Sequence, residues 1–185
     1  MTIYTIIAGV SGTGKSSLTG VLRQLRNDLG FIIDVHKIAA AHGGNKILAA
    51  RLAITRIRDC LAKRICFTQE TTLSGSLTAH TAKQAHEAGY YVRMYYVGLG
   101  SAEESLTRIQ NRVRKGGHDI PADDVRCQFA VQTKSLAKVL PYCNEAVFYD
   151  NENGFAAVAE YRNGLITCIE GAPKWIQELA DKVLC

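Results

Sequence analysis

The residues best suited to chemistry lie near the start of the chain, in Gly9-Val10-Ser11-Gly12-Thr13-Gly14-Lys15-Ser16. Their spacing, Gly-x-x-x-x-Gly-Lys-Ser, follows the apolar run Ile3 to Ala8 and precedes an amphipathic stretch, which is the setting of a phosphate-binding loop. A triphosphate needs several backbone N–H donors converging on it, and glycine permits both the positive φ angles and the close approach. Gly9, Ser11, Gly12, Thr13, Gly14, Lys15, Ser16 and Ser17 are therefore the expected nucleotide-binding residues, with a helix beginning near Lys15 turning its positive dipole end toward the anion. Lys15 is expected to reach the β- and γ-phosphates, and the Ser16 hydroxyl to ligate Mg2+. The competing reading is a glycine-rich strand-to-helix turn with no ligand.

Three further groups have the chemistry to complete such a site. Phe31-Ile32-Ile33-Asp34-Val35-His36 reads as a buried parallel strand that turns polar at its C-terminal end, the end that faces the ligand crevice in a doubly wound sheet. Asp34 and His36 are thus candidate acid–base residues, unless Asp34 merely caps the following turn and His36 is a surface residue. The strand Ile65 to Gln69 ends in Glu70-Thr71-Thr72-Leu73-Ser74-Gly75. A carboxylate followed by hydroxyls is costly in a core and useful beside a phosphate or sugar, so Glu70 and Thr72 are candidate substrate-binding residues. Arg108 and Arg112 share one helix face with Lys115 nearby, and Arg126 lies early in the next helix. Two helices joined at Gly116-Gly117 and bearing arginines read as a lid over a nucleotide, and equally as a helical hairpin with solvated charges.

The elements that must position these residues alternate strand and helix. Leu18, Val21, Leu22, Leu25 and Leu29 predict a helix closed by Gly30; Ala39 to Gly44 reads as a loop; Ile47, Ala50, Ile54, Ile57 and Leu61 predict a second helix. Ser76 to Glu87 reads as a third helix and Tyr90 to Val97 as a fourth strand. Ser101 and Glu104 have capping-box spacing ahead of the arginine-bearing helix, and Pro121, Asp123 and Asp124 suit the first turn of its successor. Glu145 to Asp150 reads as a fifth strand, Asn163-Gly164 as a hairpin turn, and Pro173 to Val183 as a closing amphipathic helix. The expected fold is α/β: a parallel sheet of the P-loop NTPase type flanked by helices, with a helical lid over about 101–140 and a C-terminal hairpin plus helix over about 151–185, in one domain spanning 1–185.

Composition narrows the function classes. With 185 residues, 47% of them hydrophobic, the chain can bury one full α/β core. The net charge of +5 is spread among helices without a basic groove or interleaved aromatics, a pattern that argues against nucleic acid as the partner. Six scattered cysteines without a Cys-x-x-Cys pair suggest a reducing cytoplasm. No apolar run approaches a membrane span, and the N-terminus reads directly into a strand without a charged leader.

Taken together, the phosphate loop, Glu70-Thr71-Thr72-Leu73-Ser74-Gly75 and Arg112-Val113-Arg114-Lys115-Gly116-Gly117-His118-Asp119-Ile120-Pro121 make the chain resemble the zeta-toxin family of P-loop kinases over roughly residues 1–150. The resemblance implies an ATP-dependent kinase acting on a hydroxyl of a small molecule, a UDP-activated amino sugar in the better-known toxins, and a protein partner of antitoxin type. It also implies roles for Lys15 and Ser16 at the phosphates and Mg2+, for Glu70 beside the substrate, and for Arg112 and Arg126, with Arg108 as a neighbour, on the transferring phosphoryl. The family pattern after the second strand has Asp or Asn, one residue, then a general-base Asp. Here Asp34 occupies the first of these positions and His36 the second, so that either becomes the base or transfer is impaired. A nucleotide-binding or slowly hydrolysing regulatory switch is the alternative function.

Overall fold

The computed structural model of the protein describes residues 1–117 and 119–183; His118, from the lid motif, and Leu184 and Cys185 lie outside the described residues. In chain order the strands are β1 (Ile3–Ala8), β2 (Phe31–Asp34), β3 (Phe67–Thr71), β4 (Tyr91–Gly98), β5 (Glu145–Asp150), β6 (Ala156–Arg162) and β7 (Leu165–Cys168). The helices are α1 (Lys15–Leu25), α2 (Val35–Ala41), α3 (Lys46–Lys63), α4 (Leu77–Glu87), α5 (Ala102–Arg114), α6 (Ala122–Val139) and α7 (Lys174–Val183). One sheet of order β2-β3-β1-β4-β5-β6-β7 runs through the molecule. Its first five strands pair in parallel, and β6 and β7 continue it as an antiparallel hairpin. Asn163 and Gly164 both take positive φ at that hairpin's tip, 51° and 84°, as a two-residue turn of the right twist requires.

Strand β1 is buried at every residue because sheet and helices cover both of its faces. Tyr4, Ile6 and Ala8 face the larger core with Phe67, Val92, Met94, Tyr96 and Phe148, under α3, α4, α6 and α7. Ile7 faces the other way with Tyr95 and Val97, under Leu18 and Leu22 of α1. This alternation along neighbouring strands sets the register, and the register carries the polar strand ends to one edge of the sheet.

Several local expectations are corrected by side chains that act on the backbone. Helix α1 ends at Leu25, not at Gly30, because Arg26 is extended (φ −135°, ψ 135°) and its guanidinium pairs with Asp28 at 2.8 Å. Strand β2 stops at Asp34, since the Asp34 carboxylate accepts from His36 N at 2.9 Å and Lys37 N at 3.2 Å and so starts α2. The loop expected at 39–44 shrinks accordingly to the turn after α2. The buried face of α3 is Ala49, Ala53, Ile57 and Cys60, and Ile47 is 71% exposed. Helix α6 enters the main core with Leu136 and Val139, so the second half of the expected lid belongs to the body of the protein.

Candidate functional site

The phosphate loop leaves β1 in close approach to β4: a Cβ on Gly9 would sit 2.3 Å from Val97 O, so only glycine fits. At the loop's far end Gly14 takes φ 103° and becomes the N-cap of α1 without a capping side chain. The first turn of α1 has no acidic residue, whereas α5 opens with Glu103 and Glu104 and α6 with Asp123 and Asp124. The amides of α1 are thus left for an outside anion, which the helix dipole favours. Lys15 lies back along the loop, only 8% exposed, and donates to Val10 O at 2.9 Å; Thr13 Oγ1 donates to the same carbonyl at 2.9 Å.

Two carboxylates meet the loop at the level the sheet dictates. Asp34 and Glu70 are register partners across β2 and β3, and Glu70 is also the partner of Ile7 in β1. Glu70 accepts from Ser16 Oγ at 2.6 Å and from Thr19 Oγ1 at 2.9 Å, one hydroxyl on each carboxylate oxygen. The Lys15 pKa is lowered to about 8, chiefly by burial, with Glu70 and then Asp34 pulling it back up and the charge of Arg112 adding a smaller push down. Asp34 uses Oδ1 for the α2 amides, while Oδ2 lies 3.7 Å from Lys37 Nζ. His36 follows on the first turn of α2 with an exposed side chain at the cavity wall.

A cavity of about 400 Å³ unites these groups. Of the residues expected from the sequence, it brings together Ser11, Gly12, Gly14, Lys15, Ser16, Ser17, Asp34, His36, Glu70 and Arg112, with Arg108 beside them. Gly9 and Thr13 shape the loop from outside the cavity wall. Thr72 bonds to Ser74 Oγ at 2.9 Å, and Arg126, its side chain 57% exposed, pairs with Asp123 at 3.6 Å; neither borders the cavity. The opposite wall is Ala39, Ala40, Gly44 and Lys46. Ser16 Oγ and the Glu70 carboxylate are hard oxygen donors of the kind Mg2+ takes, so the residues present fit that ion.

Sequence reasoning missed several contributors. Thr19 was findable, because it lies three residues beyond Ser16 on the same helix face. Gln128 of α6, whose Oε1 accepts from Ser11 N at 2.9 Å, and Asn151, whose Nδ2 donates to Thr13 O at 2.7 Å, carry no local signal.

Comparison with known proteins places this geometry among related folds. No model of a known protein family matches the chain. The AvrRxo1-ORF1:AvrRxo1-ORF2 complex is similar in fold, with TM-score 0.71 and 12% identity when solved with sulphate ions, and TM-score 0.68 and 16% identity when solved with ATP. Both matches cover 97% of this chain and 64% of the other, so this chain spans somewhat less than two thirds of that relative. The PezAT chromosomal toxin-antitoxin system of Streptococcus pneumoniae is also similar, with TM-score 0.67 and 14% identity over 99% of this chain and 78% of the other. These likenesses show the fold: a mainly parallel sheet flanked by helices and extended by a C-terminal hairpin and helix, as the sequence leads one to expect. In sequence, an uncharacterized protein of Haemophilus influenzae is 35% identical over 127 residues, which is 65% of this chain and 88% of that protein. The chain therefore belongs to the same family as this Haemophilus influenzae protein.

Proposed function

We propose that the protein is a Mg2+-dependent kinase that transfers the γ-phosphoryl group of ATP to a hydroxyl of a small molecule. The observation that carries this reading is the single cavity in which Lys15 and the uncapped start of α1 face Asp34 and Glu70 across an additional wall of small residues. A nucleotide switch needs the donor half alone; the wall of Ala39, Ala40, Gly44 and Lys46 gives room for an acceptor. The likeness in fold to a complex solved with ATP supports the choice of nucleotide.

In the proposed reaction the loop amides and Lys15 hold the β- and γ-phosphates, and Arg108 and Arg112 close on the transferring group from α5. Mg2+, held by Ser16 with Glu70 alongside, would supply charge neutralisation to the phosphates. The acceptor O–H gives its proton to Asp34 Oδ2, the oxygen not engaged by the α2 amides. The acceptor oxygen bonds to the γ-phosphorus while the bond to the β,γ-bridging oxygen breaks, and ADP leaves. His36 borders the acceptor and orients it. Lys46 offers a cation to an anionic acceptor, and the resemblance to the zeta toxins makes a UDP-activated amino sugar the first compound to assay.

Two fold relatives are assemblies by description, which supports a protein partner for this chain too. The free cysteines Cys60, Cys66, Cys127, Cys143 and Cys168 support a reducing, cytoplasmic setting, and among the described residues no helix is long and apolar enough to cross a membrane.

The test is an ATP-dependent phosphorylation screen of a metabolite extract read by mass spectrometry, with Asp34→Asn and His36→Ala as controls. Asparagine preserves the helix cap, so Asp34→Asn should lower kcat by about a hundredfold or more with ATP affinity intact, whereas His36→Ala should act mainly on the acceptor KM. Full activity of Asp34→Asn, or ATP consumption that no metabolite stimulates, refutes the proposal.

A further inference from the structure

The segment after β5 touches the phosphate loop directly. Asn151 Nδ2 donates to Thr13 O at 2.7 Å, and a Cβ on Gly14 would meet that nitrogen at 2.5 Å, so the carboxamide packs against the loop where it turns into α1. The Asn151 backbone is itself fixed, its N–H donating to Gly98 O at 3.2 Å at the end of β4. The Arg108 guanidinium donates to the carbonyls of both Asn151 and Glu152. A single short loop thus grips the phosphate loop on one side and a cavity arginine on the other.

That loop is held in turn by the C-terminal helix. Trp175 Nε1 of α7 donates to Asp150 Oδ1 at 2.8 Å, and Asp150 Oδ2 accepts from Glu152 N at 3.0 Å. The Trp175 ring covers Gly98, where a Cβ would lie 2.3 Å from it, and packs on Tyr96. Asp150 is 9% exposed, so its carboxylate has been taken out of water to make these bonds.

We infer that Asn151 is a positioning residue for the donor site and that α7 braces it through Trp175 and Asp150. The inference rests on the nucleotide site proposed above. A carbonyl pinned at Thr13 turns the peptide that follows it, and hence the amides opening α1, toward the cavity. Without the pin those amides sample other orientations, and their convergence on a phosphate has to be re-established at each binding event. Asn151→Asp cannot make this bond, since a carboxylate has no hydrogen to donate to a carbonyl.

The experiment is ATP titration by calorimetry on the full-length protein, with Asn151→Ala, Asn151→Asp, Trp175→Phe and the double variant Asn151→Ala/Trp175→Phe. Thermal unfolding of each is recorded alongside. Asn151→Ala should weaken ATP binding about five- to tenfold, the usual consequence of losing one structured hydrogen bond, and Asn151→Asp at least as much. Trp175→Phe keeps a ring over Gly98 and removes only the N–H, so it should weaken binding by a smaller factor. The double variant should lose clearly less than the product of the two single losses, because the brace acts mainly through the side chain already removed. Wild-type affinity in Asn151→Ala, or full additivity in the double variant, overturns the inference. If wild type and Lys15→Ala alike fail to bind ATP, the nucleotide reading itself is what falls.

Discussion

Replacing Lys15 by methionine tests the electrostatics of the site without any substrate. The lysine is 8% exposed, and its pKa drops from 10.5 to about 8 chiefly through burial. That drop corresponds to about 3 kcal/mol by which the folded protein disfavours the charged form. Methionine has a similar length and needs no charging, so Lys15→Met removes the cost and loses the hydrogen bond to Val10 O. With about 1.5 kcal/mol returned for that bond, the variant should be about 1–2 kcal/mol more stable than wild type at neutral pH. The pH dependence gives a second reading with a definite sign. Because the folded pKa is lowered, the unfolded chain holds the extra proton between pH 8 and 10.5. The penalty is complete below pH 8 and disappears as pH rises to 10.5, so wild-type stability climbs through this window relative to the variant. Buried Tyr4 and Tyr96, both with raised pKa, also titrate at high pH but contribute equally to both proteins and cancel in the difference. Urea denaturation of the two proteins at stepped pH measures it. A variant less stable than wild type at neutral pH, or a stability difference that does not change across the window, refutes the reasoning.

Two other perturbations separate neighbouring roles. Arg112→Ala should cut phosphoryl transfer by about a hundredfold or more, while Arg126→Ala, removing a solvent-side partner of Asp123, should stay within about threefold; equal losses in the coupled assay would reassign Arg126. Arg93→Met should cost about 3 kcal/mol in chemical denaturation, since Arg93 is 2% exposed and donates to both Asp28 oxygens at 3.1 Å and to Thr5 Oγ1 at 2.9 Å. A loss below about 1 kcal/mol would show that Arg26, which also holds Asp28, carries the pair by itself.

The phosphate-loop side of the cavity is legible in the sequence because its pattern is local. Eight consecutive residues encode the loop, and the apolar strand before them fixes which way it points. Glu70 is legible for a related reason: a carboxylate at the end of a buried strand must face either a crevice or a partner, and here it does both. Spacing fails where the outcome depends on which helix face meets the body. Arg108, Arg112 and Arg126 look alike in sequence, and only the packing of Ile109 and Val125 against Val10 decides that α5 turns its arginines inward while Arg126 faces water. Asp34 shows a different limit. The residue and its place at the strand end were readable, but its carboxylate ends the strand as well as facing the cavity, so His36 falls on a helix and not on a strand. Asn151 lies 138 residues from its partner Thr13, and no periodicity reports a contact at that distance.

The burial of β1 divides the cavity by rigidity. All six β1 residues are buried between β3 and β4, and Gly9, Val10, Ser11, Thr13 and Lys15 continue that burial into the loop. The facing wall, by contrast, has half-buried Ala39 at its start and then runs through residues 40–48, every one exposed. Amide exchange in β1 should therefore approach the rate of global unfolding, while the facing wall exchanges through small local openings. Substitutions and insertions around 40–48 should therefore be tolerated without disturbing the phosphate loop, so that under the proposed reaction a change of acceptor need not change the nucleotide.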